Sequence, residues 1–180
     1  MQEELIDVTD EQGNKTGEVR AKSQVHKLGL WHRTIFIYIM NSKGNLLLQQ
    51  RALVKESSPG FWDAPVAGHI SAGQTSIEAA KREALEELGL ALLDSELEYF
   101  GVHREQSVQK GGAYVNNEFH DLYLVRKDLQ IGDLKLQVEE VAQVRWVSLA
   151  DLHKMVSEKD PTLLHHNQYA LLFARLDLKQ

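Results

Sequence analysis

Three glutamates crowd into the segment EALEELG, as Glu83, Glu86 and Glu87. Their spacing of three and four residues puts the carboxylates on one face of an α-helix, where like charges repel each other. No lysine follows one turn later to neutralise them, and Arg82 stands one turn before Glu86. Clustered carboxylate oxygens suit Mg²⁺ or Mn²⁺, hard cations that keep water molecules and can bind a substrate phosphate. The segment therefore predicts a divalent-cation site, with a solvated acidic helix face as the simpler alternative.

The helix that carries these carboxylates is predicted from Thr75 to Leu88. Thr75 and Glu78 have the spacing of a T-x-x-E capping box, and Gly89 is a typical residue for the end of a helix. The Gly-rich loop AGHISAGQ before it would let the backbone approach a ligand closely. On a helical wheel the glutamates lie roughly opposite an apolar side that we expect to face the core, formed by Ile77, Ala80, Ala84, Leu85 and Leu88.

The rest of the chain predicts strands first and helices last. Hairpins are expected over residues 4–22 and 33–53, followed by a loop at 54–68. Further strands are expected near 97–105, 114–126 and 142–147, and helices at 149–158 and 162–176. This order predicts an α/β (α+β) fold, with a mixed sheet covered by helices. We expect one domain over residues 1–180, with a C-terminal helical segment at about 148–180.

Composition excludes several classes of function. The 180 residues include no cysteine, which excludes disulfides, thiolate metal sites and a Cys nucleophile. The net charge is −6 without a large basic block, so duplex nucleic acid is not an expected partner. The acidic start lacks an apolar signal core, and the longest strongly apolar run, TIFIYIM, is too short to cross a bilayer. We expect a soluble, cytoplasmic protein without a membrane partner, and the sequence leaves a homodimer open.

Residues 68–90, GHISAGQTSIEAAKREALEELGL, resemble the Nudix box, G-x5-E-x7-R-E-U-x-E-E-x-G-U, in which U is an apolar residue. The positions in register are Gly68, Arg82, Glu83, Ala84, Glu86, Glu87, Gly89 and Leu90. The resemblance implies an α/β/α sandwich around a mixed sheet and a substrate that approaches Gly68. It also implies Mg²⁺ or Mn²⁺ on the three glutamates, an orienting role for Arg82, and hydrolysis of a nucleoside diphosphate linked to another group.

Two features of this resemblance stay open. Gln74 stands where the box has its first Glu, and a neutral amide is a poor replacement for a charged ligand. We therefore expect a metal site with weakened affinity or altered geometry. The general base is not identified by the sequence. Glu139 and Glu140 are candidates because some Nudix hydrolases take their base from a comparable loop.

A wider resemblance covers most of residues 5–150. Stretches such as KSQVHKLGLWH and SPGFWDAPVAGH are similar to type 1 isopentenyl-diphosphate isomerases, which also use the Nudix fold. The resemblance implies a second site, for a divalent transition metal, because imidazole nitrogens suit softer ions than Mg²⁺. The candidate ligands are His26, His32, His69, Glu118 and His120. The cations that match the diphosphate-binding residues of the isomerases are Lys22, Arg51 and Lys55.

Isomerisation itself needs one group to protonate an alkene and another to remove a proton. Ala67 stands where the isomerases have their catalytic Cys, and His120 stands where they have their catalytic Glu. Loss of a positioned acid or base typically costs about 10²–10⁴-fold in rate. We therefore interpret the chain as a metal-dependent hydrolase of a diphosphate linkage in a nucleoside diphosphate derivative or similar small molecule. An isomerase and a non-catalytic diphosphate-binding sensor are the alternatives.

Overall fold

The secondary structure largely follows the predicted order. The computed structural model describes residues 3–55 and 57–177, apart from the side chains of residues 109 and 110. In these residues the strands are β1 (Leu5–Thr9), β2 (Lys15–Ala21), β3 (Trp31–Met40), β4 (Asn45–Arg51), β5 (Trp62–Asp63), β6 (Val66–His69), β7 (Glu98–Gln109), β8 (Tyr114–Arg126) and β9 (Val141–Ser148). The helices are α1 (Lys22–Leu28), α2 (Ser76–Leu88), α3 (Leu149–Ser157) and α4 (Tyr169–Asp177).

Strand β3 lies at the centre of the sheet and pairs with several other strands. It pairs in parallel with β8 along its whole length, and in the antiparallel sense with β6. β7 extends the sheet beyond β8, and β4 pairs with both β5 and β9. The sheet is therefore mixed, as the sequence predicted.

The side chains of β3 contribute to two apolar clusters on opposite sides of the sheet, because successive residues of a strand face opposite sides. Ile35, Ile37 and Ile39 are fully buried in the cluster that includes the apolar face of α2. Phe36 and Tyr38 belong to the other cluster, together with residues of α3 and α4. Helices thus cover both faces of the sheet, and the predicted α/β/α sandwich is confirmed.

Helix α2 begins and ends as the sequence predicted. Both hydrogen bonds of the capping box between Thr75 and Glu78 are present. Gly89 follows the helix with φ 65°, a left-handed conformation that favours glycine. These local signals place the helix correctly because they satisfy backbone groups that every helix end leaves open.

Two positions of the helical wheel were predicted wrongly. Leu85 is 56% exposed, whereas Glu87 is only 5% exposed. Glu87 is buried because α2 lies against β4 and β6, where the Gln49 side chain and the Ala67 backbone contact its carboxyl group. The polar face of the helix is therefore buried at Glu87, whereas Glu86 stays exposed.

Three other segments differ from the predictions. Helix α1 was not predicted, because seven residues make too short a segment to show a clear helical period. The expected loop at 54–68 contains β5 and most of β6, whose two and four residues are too few to show alternation. The last predicted helix begins only at Tyr169, so the preceding residues form a connection instead.

Two further expectations concern the loop at 54–68 with the C-terminal segment, and the absence of a membrane partner. Glu56, within the expected loop, and residues 178–180, at the end of the expected helical segment, lie outside the part that the structure describes. Among the described residues, none of the helices has the length and apolar character that crossing a membrane requires.

Candidate active site

A pocket of about 840 Å³ collects most of the residues that the sequence singled out. Helix α2, strands β6 and β8, the loop after β4 and the α3–α4 connection contribute to its lining. All the predicted site residues line the pocket except His26 and His32, whose rings contact the ring of His69. The fold therefore brings together side chains that are far apart in the sequence.

Arg82 contacts two of the three glutamates of α2. Its Nη1 lies 2.9 Å from Oε1 of Glu83 and donates to Oε2 of Glu86 at 3.1 Å. Its Nη2 donates to the backbone oxygen of His69 at 2.9 Å, which ties α2 to β6. A guanidinium with several fixed donors holds carboxylates in a defined orientation. This geometry allows Arg82 to orient the acidic cluster.

Gln74 contacts Arg82 rather than the three glutamates. Its amide oxygen accepts a hydrogen bond from Nε of Arg82 at 3.3 Å, and its side chain does not belong to the pocket lining. An amide oxygen is an adequate acceptor for this bond. The replacement of Glu by Gln at this position therefore bears more directly on the orientation of Arg82 than on the charge of the pocket.

Glu83 and Glu87 are largely buried carboxyl groups, and nearby cations offset the effect of burial on their pKa values only in part. Burial raises the pKa of Glu83 to about 7, although Arg82 acts in the opposite direction. Burial, followed by the charges of Glu83 and Glu140, raises the pKa of Glu87 well above its usual range. A nearby cation would reverse both shifts, since opposite charge favours the ionised carboxylate. The donor set therefore fits a hard divalent cation, which prefers oxygen ligands.

Because Gly68 has no side chain, the carboxylate of Glu83 can lie directly against its Cα. A Cβ atom at this position would overlap the carboxylate of Glu83. The absence of a side chain therefore permits β6 and α2 to approach closely at the centre of the acidic cluster.

We expect Gly68→Ala to displace the Glu83 carboxylate and to lower the free energy of unfolding by about 1 kcal/mol, the low end of the range for overpacking, because the flexible end of the Glu83 side chain can move aside. Gly132→Ala is the matched control, because a Cβ there meets nothing within 4 Å. Urea unfolding of both variants measures the difference. Equal stability of the two variants would mean that Glu83 moves aside without cost and would contradict this expectation.

His26, His32, His69 and Glu118 form a compact group at the pocket, which we call the histidine group. One ligand atom from each residue lies within 4.8 Å of all the others. α1, β3, β6 and β8 supply one residue each, and His32 and Glu118 are direct partners in the β3–β8 pairing. Four elements thus converge on one point with donors suited to a metal ion.

Backbone oxygens determine which ring nitrogens face the histidine group. Nδ1 of His32 donates to the backbone oxygen of Leu30 at 2.9 Å, and Nδ1 of His26 lies 3.3 Å from that of Val115. Nε2 of His32 is buried and has no hydrogen-bond partner in the described part of the chain, with Oε1 of Glu118 3.5 Å away. A buried polar atom without a partner requires an explanation. A nitrogen oriented in this way fits a metal ligand.

The protonation states also fit. Burial lowers the pKa of His26, and lowers that of His69 well below its usual range. Burial alone would raise the pKa of Glu118, but the hydrogen bond with His120 and the nearby ring of His32 hold it well below its usual range. Metal binding requires neutral imidazoles and an ionised carboxylate. His26, His69 and Glu118 therefore have the charge states that a divalent transition metal needs.

The structure places His120 beside the histidine group and not within it, in contrast to its place among the candidate ligands. Its Nε2 lies 2.9 Å from Oε2 of Glu118, and its Nδ1 lies 2.6 Å from Oε1 of Gln168. Both ring nitrogens of His120 are therefore in contact with these two side chains. In the β3–β8 pairing His120 stands opposite Thr34, whereas Glu118 stands opposite His32.

The three candidate phosphate-binding cations line the pocket, and each lies near a carboxylate. The pairs are Lys22 with Glu4, Arg51 with Asp63, and Lys55 with Glu140. Arg51 also donates to the backbone oxygen of Ser57 through Nε and Nη2. A phosphate group would therefore have to compete with these carboxylates, which makes bound metal cations important for anion binding.

The sequence gave no reason to select the pair formed by Asp63 and His166. Nε2 of His166 lies 2.9 Å from Oδ1 of Asp63, and both residues line the pocket. Burial alone would raise the pKa of Asp63, but His166 and then Arg51 keep it lowered. Burial alone would lower the pKa of His166, but Asp63 raises it. The available signal was HHNQ, a polar run within an apolar predicted helix.

We expect His166→Gln to lower stability most between pH 3.8 and pH 6.5, the ordinary pKa values of the two groups. The raised pKa of His166 stabilises fully below 6.5, and this contribution is lost as the pH rises through the folded-state value. The lowered pKa of Asp63 stabilises above 3.8, and this contribution is lost as the pH falls. Thermal unfolding in EDTA across this range measures the difference.

His165→Gln is the control for this experiment, because His165 is the exposed neighbour. A stability difference between His166→Gln and the unmodified protein that stays constant from about pH 5 to about pH 9 would contradict the expected linkage.

Comparison with known proteins agrees with this geometry. A family model described as NUDIX domain matches residues 30–166. The chain is 38% identical over 179 residues to Nudix hydrolase 3 of Arabidopsis thaliana, covering 96% of this chain but only 23% of that protein. It is 33% identical over 148 residues to an isopentenyl-diphosphate Delta-isomerase of Streptomyces coelicolor, covering 82% and 73% of the two chains. A crystal structure of a Deinococcus radiodurans protein superposes with a TM-score of 0.69 at 20% identity, over 96% and 98% of the two chains.

Proposed function

The chain belongs to the Nudix family, and from this premise we propose that it is a metal-dependent hydrolase of a diphosphate linkage in a small molecule. A nucleoside diphosphate derivative is the substrate class that follows from the Nudix box. The family match over residues 30–166 supports the class of enzyme. The substrate depends on the shape of the pocket rather than on the fold.

The observation that carries this proposal is the burial of Glu83 and Glu87 with raised pKa values. Two adjacent buried carboxyl groups cost stability when ionised, unless a cation neutralises them. Their position on the pocket wall, with Glu86 at its rim, supports a site for Mg²⁺ or Mn²⁺ that opens towards substrate.

When bound, a divalent cation neutralises phosphate charge and activates the attacking water. Glu83, Glu86 and Glu87 would hold this cation, with Arg82 keeping two of the carboxylates in place. Lys22, Arg51 and Lys55 would bind the phosphates and steady the leaving group.

Glu140 is the candidate general base. It pairs with Lys55, and its charge contributes to the raised pKa of Glu87. A phosphate that binds Lys55 would release the Glu140 carboxylate, which then accepts the proton from water as the new P–O bond forms and the bridging P–O bond breaks.

The histidine group supports a second site in the same enzyme. Its nitrogen-rich donor set fits Zn²⁺, Mn²⁺, Fe²⁺ or Ni²⁺ better than Mg²⁺. Strand β6 connects the two sites, because Gly68 accommodates Glu83 while the adjacent His69 belongs to the histidine group. A substrate diphosphate in the pocket would therefore lie near both.

Two other functions deserve comparison because the fold also fits them. An isomerase is supported by the shared histidine group, but Ala67 lines the pocket with a methyl group that cannot transfer a proton. A diphosphate-binding sensor is supported by Gln74, yet the complete set of Arg82, Glu83, Glu86 and Glu87 argues against a lost catalytic site.

A panel of nucleoside diphosphate derivatives and non-nucleotide diphosphates, including isopentenyl diphosphate, separates these functions. We expect phosphate or a nucleoside monophosphate to be released with Mg²⁺ and not in EDTA. Conversion of isopentenyl diphosphate to its double-bond isomer without release would establish the isomerase instead. Binding without any turnover across the panel would establish the sensor.

A further inference from the structure

A row of buried polar side chains leads from the histidine group to the connection before α4. Oε2 of Glu118 lies 2.9 Å from Nε2 of His120, and Nδ1 of His120 lies 2.6 Å from Oε1 of Gln168. Their exposed fractions are 9%, 2% and 0%. A buried polar group without a partner costs about 1–3 kcal/mol, so these contacts are strongly favoured over open alternatives.

We propose that Gln168 is a positioning residue for the histidine group and acts through His120 on the carboxylate of Glu118. This inference rests on the metal site in the proposed function. Groups behind a metal ligand fix its orientation, and their loss weakens metal binding. No motif pointed to Gln168, which lies beyond the end of the family match at residue 166.

The two oxygens of Glu118 face different residues, which explains how the effect reaches the histidine group. Oε2 is held by His120, and this leaves Oε1 facing Nε2 of His32 at 3.5 Å. The ring of His120 also packs on Phe36, with centroids 4.6 Å apart. Packing and two hydrogen bonds together define the ring plane. Removal of the amide of Gln168 frees one end of this arrangement.

The position of Gln168 in the chain supports a dedicated role. Its backbone oxygen accepts from the amides of Leu171 and Leu172 at the start of α4. Side chains at such positions commonly cap the helix, but the side chain of Gln168 points instead to His120. The pair of His166 with Asp63 holds the same connection against β5. The connection is therefore fixed on both sides of the Gln168 contact.

Co²⁺ binding to the untagged 180-residue chain tests this inference. Gln168→Met keeps a similar volume but removes the amide, and we expect it to weaken Co²⁺ binding by about 10–100-fold, the range for outer-shell partners. The visible absorption spectrum of bound Co²⁺ should also change, because the carboxylate ligand shifts. Tyr169→Phe is the control, since its buried hydroxyl has no hydrogen-bond partner in the described residues. Its Co²⁺ affinity and spectrum should match those of the unmodified protein.

A double-mutant cycle with His120→Phe separates positioning from general packing. If Gln168 acts through His120, Gln168→Met should weaken Co²⁺ binding no further in the His120→Phe background. An equally large loss in that background would overturn the inference, as would unchanged Co²⁺ binding by Gln168→Met alone. Absence of Co²⁺ binding by the unmodified protein would overturn the proposed histidine metal site together with this inference.

Gln168→Glu keeps the test decisive if Gln168→Met does not fold. It retains an oxygen at the position that contacts Nδ1 of His120, so Co²⁺ affinity should stay closer to that of the unmodified protein than the affinity of Gln168→Met does. Loss of Co²⁺ binding by a folded Gln168→Glu variant would overturn the positioning role of this contact.

Discussion

Glu87→Gln is expected to lower turnover at least about a hundredfold and to stabilise the metal-free protein. Removing one group that stabilises transition-state charge typically costs about 10²–10³-fold, and Gln cannot supply a charged metal ligand. The pKa of Glu87 is raised in the folded state, so this residue destabilises the fold as the pH rises above its ordinary value of 4.5. Gln removes that cost because it does not ionise.

Steady-state hydrolysis with saturating Mg²⁺ and thermal unfolding in EDTA at about pH 8 measure the two effects. Glu78→Gln is the matched control on the same helix. Gln also serves in a capping box, and Glu78 lies outside the pocket. Turnover should therefore be retained. Near-normal activity of Glu87→Gln at low Mg²⁺ would mean that the acidic cluster is not the catalytic site.

Glu118→Gln is expected to weaken transition-metal binding by more than the roughly 10–100-fold loss typical of an outer-shell residue. Glu118 contributes the one carboxylate of the histidine group, and its low pKa keeps it ionised at neutral pH. Elemental analysis of untagged protein should find about one equivalent of metal, and Co²⁺ titration of the variant should show the loss.

Glu105→Gln is the control, because Glu105 stands opposite Glu118 in the β7–β8 strand pairing but lies outside the histidine group.

Metal release should occur below the ordinary histidine pKa of 6.5, since burial lowers the pKa of His26 and His69 and keeps them neutral. Less than about a tenth of an equivalent of metal in the unmodified protein, even after soaking, would contradict the proposed site.

Helix α2 was predictable because its signals are local. The capping box, the C-terminal glycine and the contact of Arg82 with Glu86 all join residues within one or two turns. The sequence of this segment did not predict which side chains of α2 are buried. Leu85 and Glu87 exchanged their expected environments because β4 and β6 cover the side of the helix on which Glu87 stands.

The histidine group was predictable only in part. The resemblance to isomerases gave its four members, although the chain alone does not reveal that α1 brings His26 to them. It also placed His120 among the ligands, whereas the pairing of β3 with β8 puts that ring behind Glu118. Gln168 had no local signal, since its partner lies 48 residues away in the sequence.

The sequence by itself determined the acidic helix, the mixed sheet with helices on both faces and the family, because these follow from periodicity, caps and a long motif. Only the tertiary structure decided which charges are buried, which ring nitrogens of His26 and His32 face the histidine group, and which residues contact that group from behind. These properties depend on long-range strand pairing and on exclusion of water. Glu83 lies on α2 against β6, and this burial raises its pKa to about 7 although its chain neighbour Arg82 acts in the opposite direction.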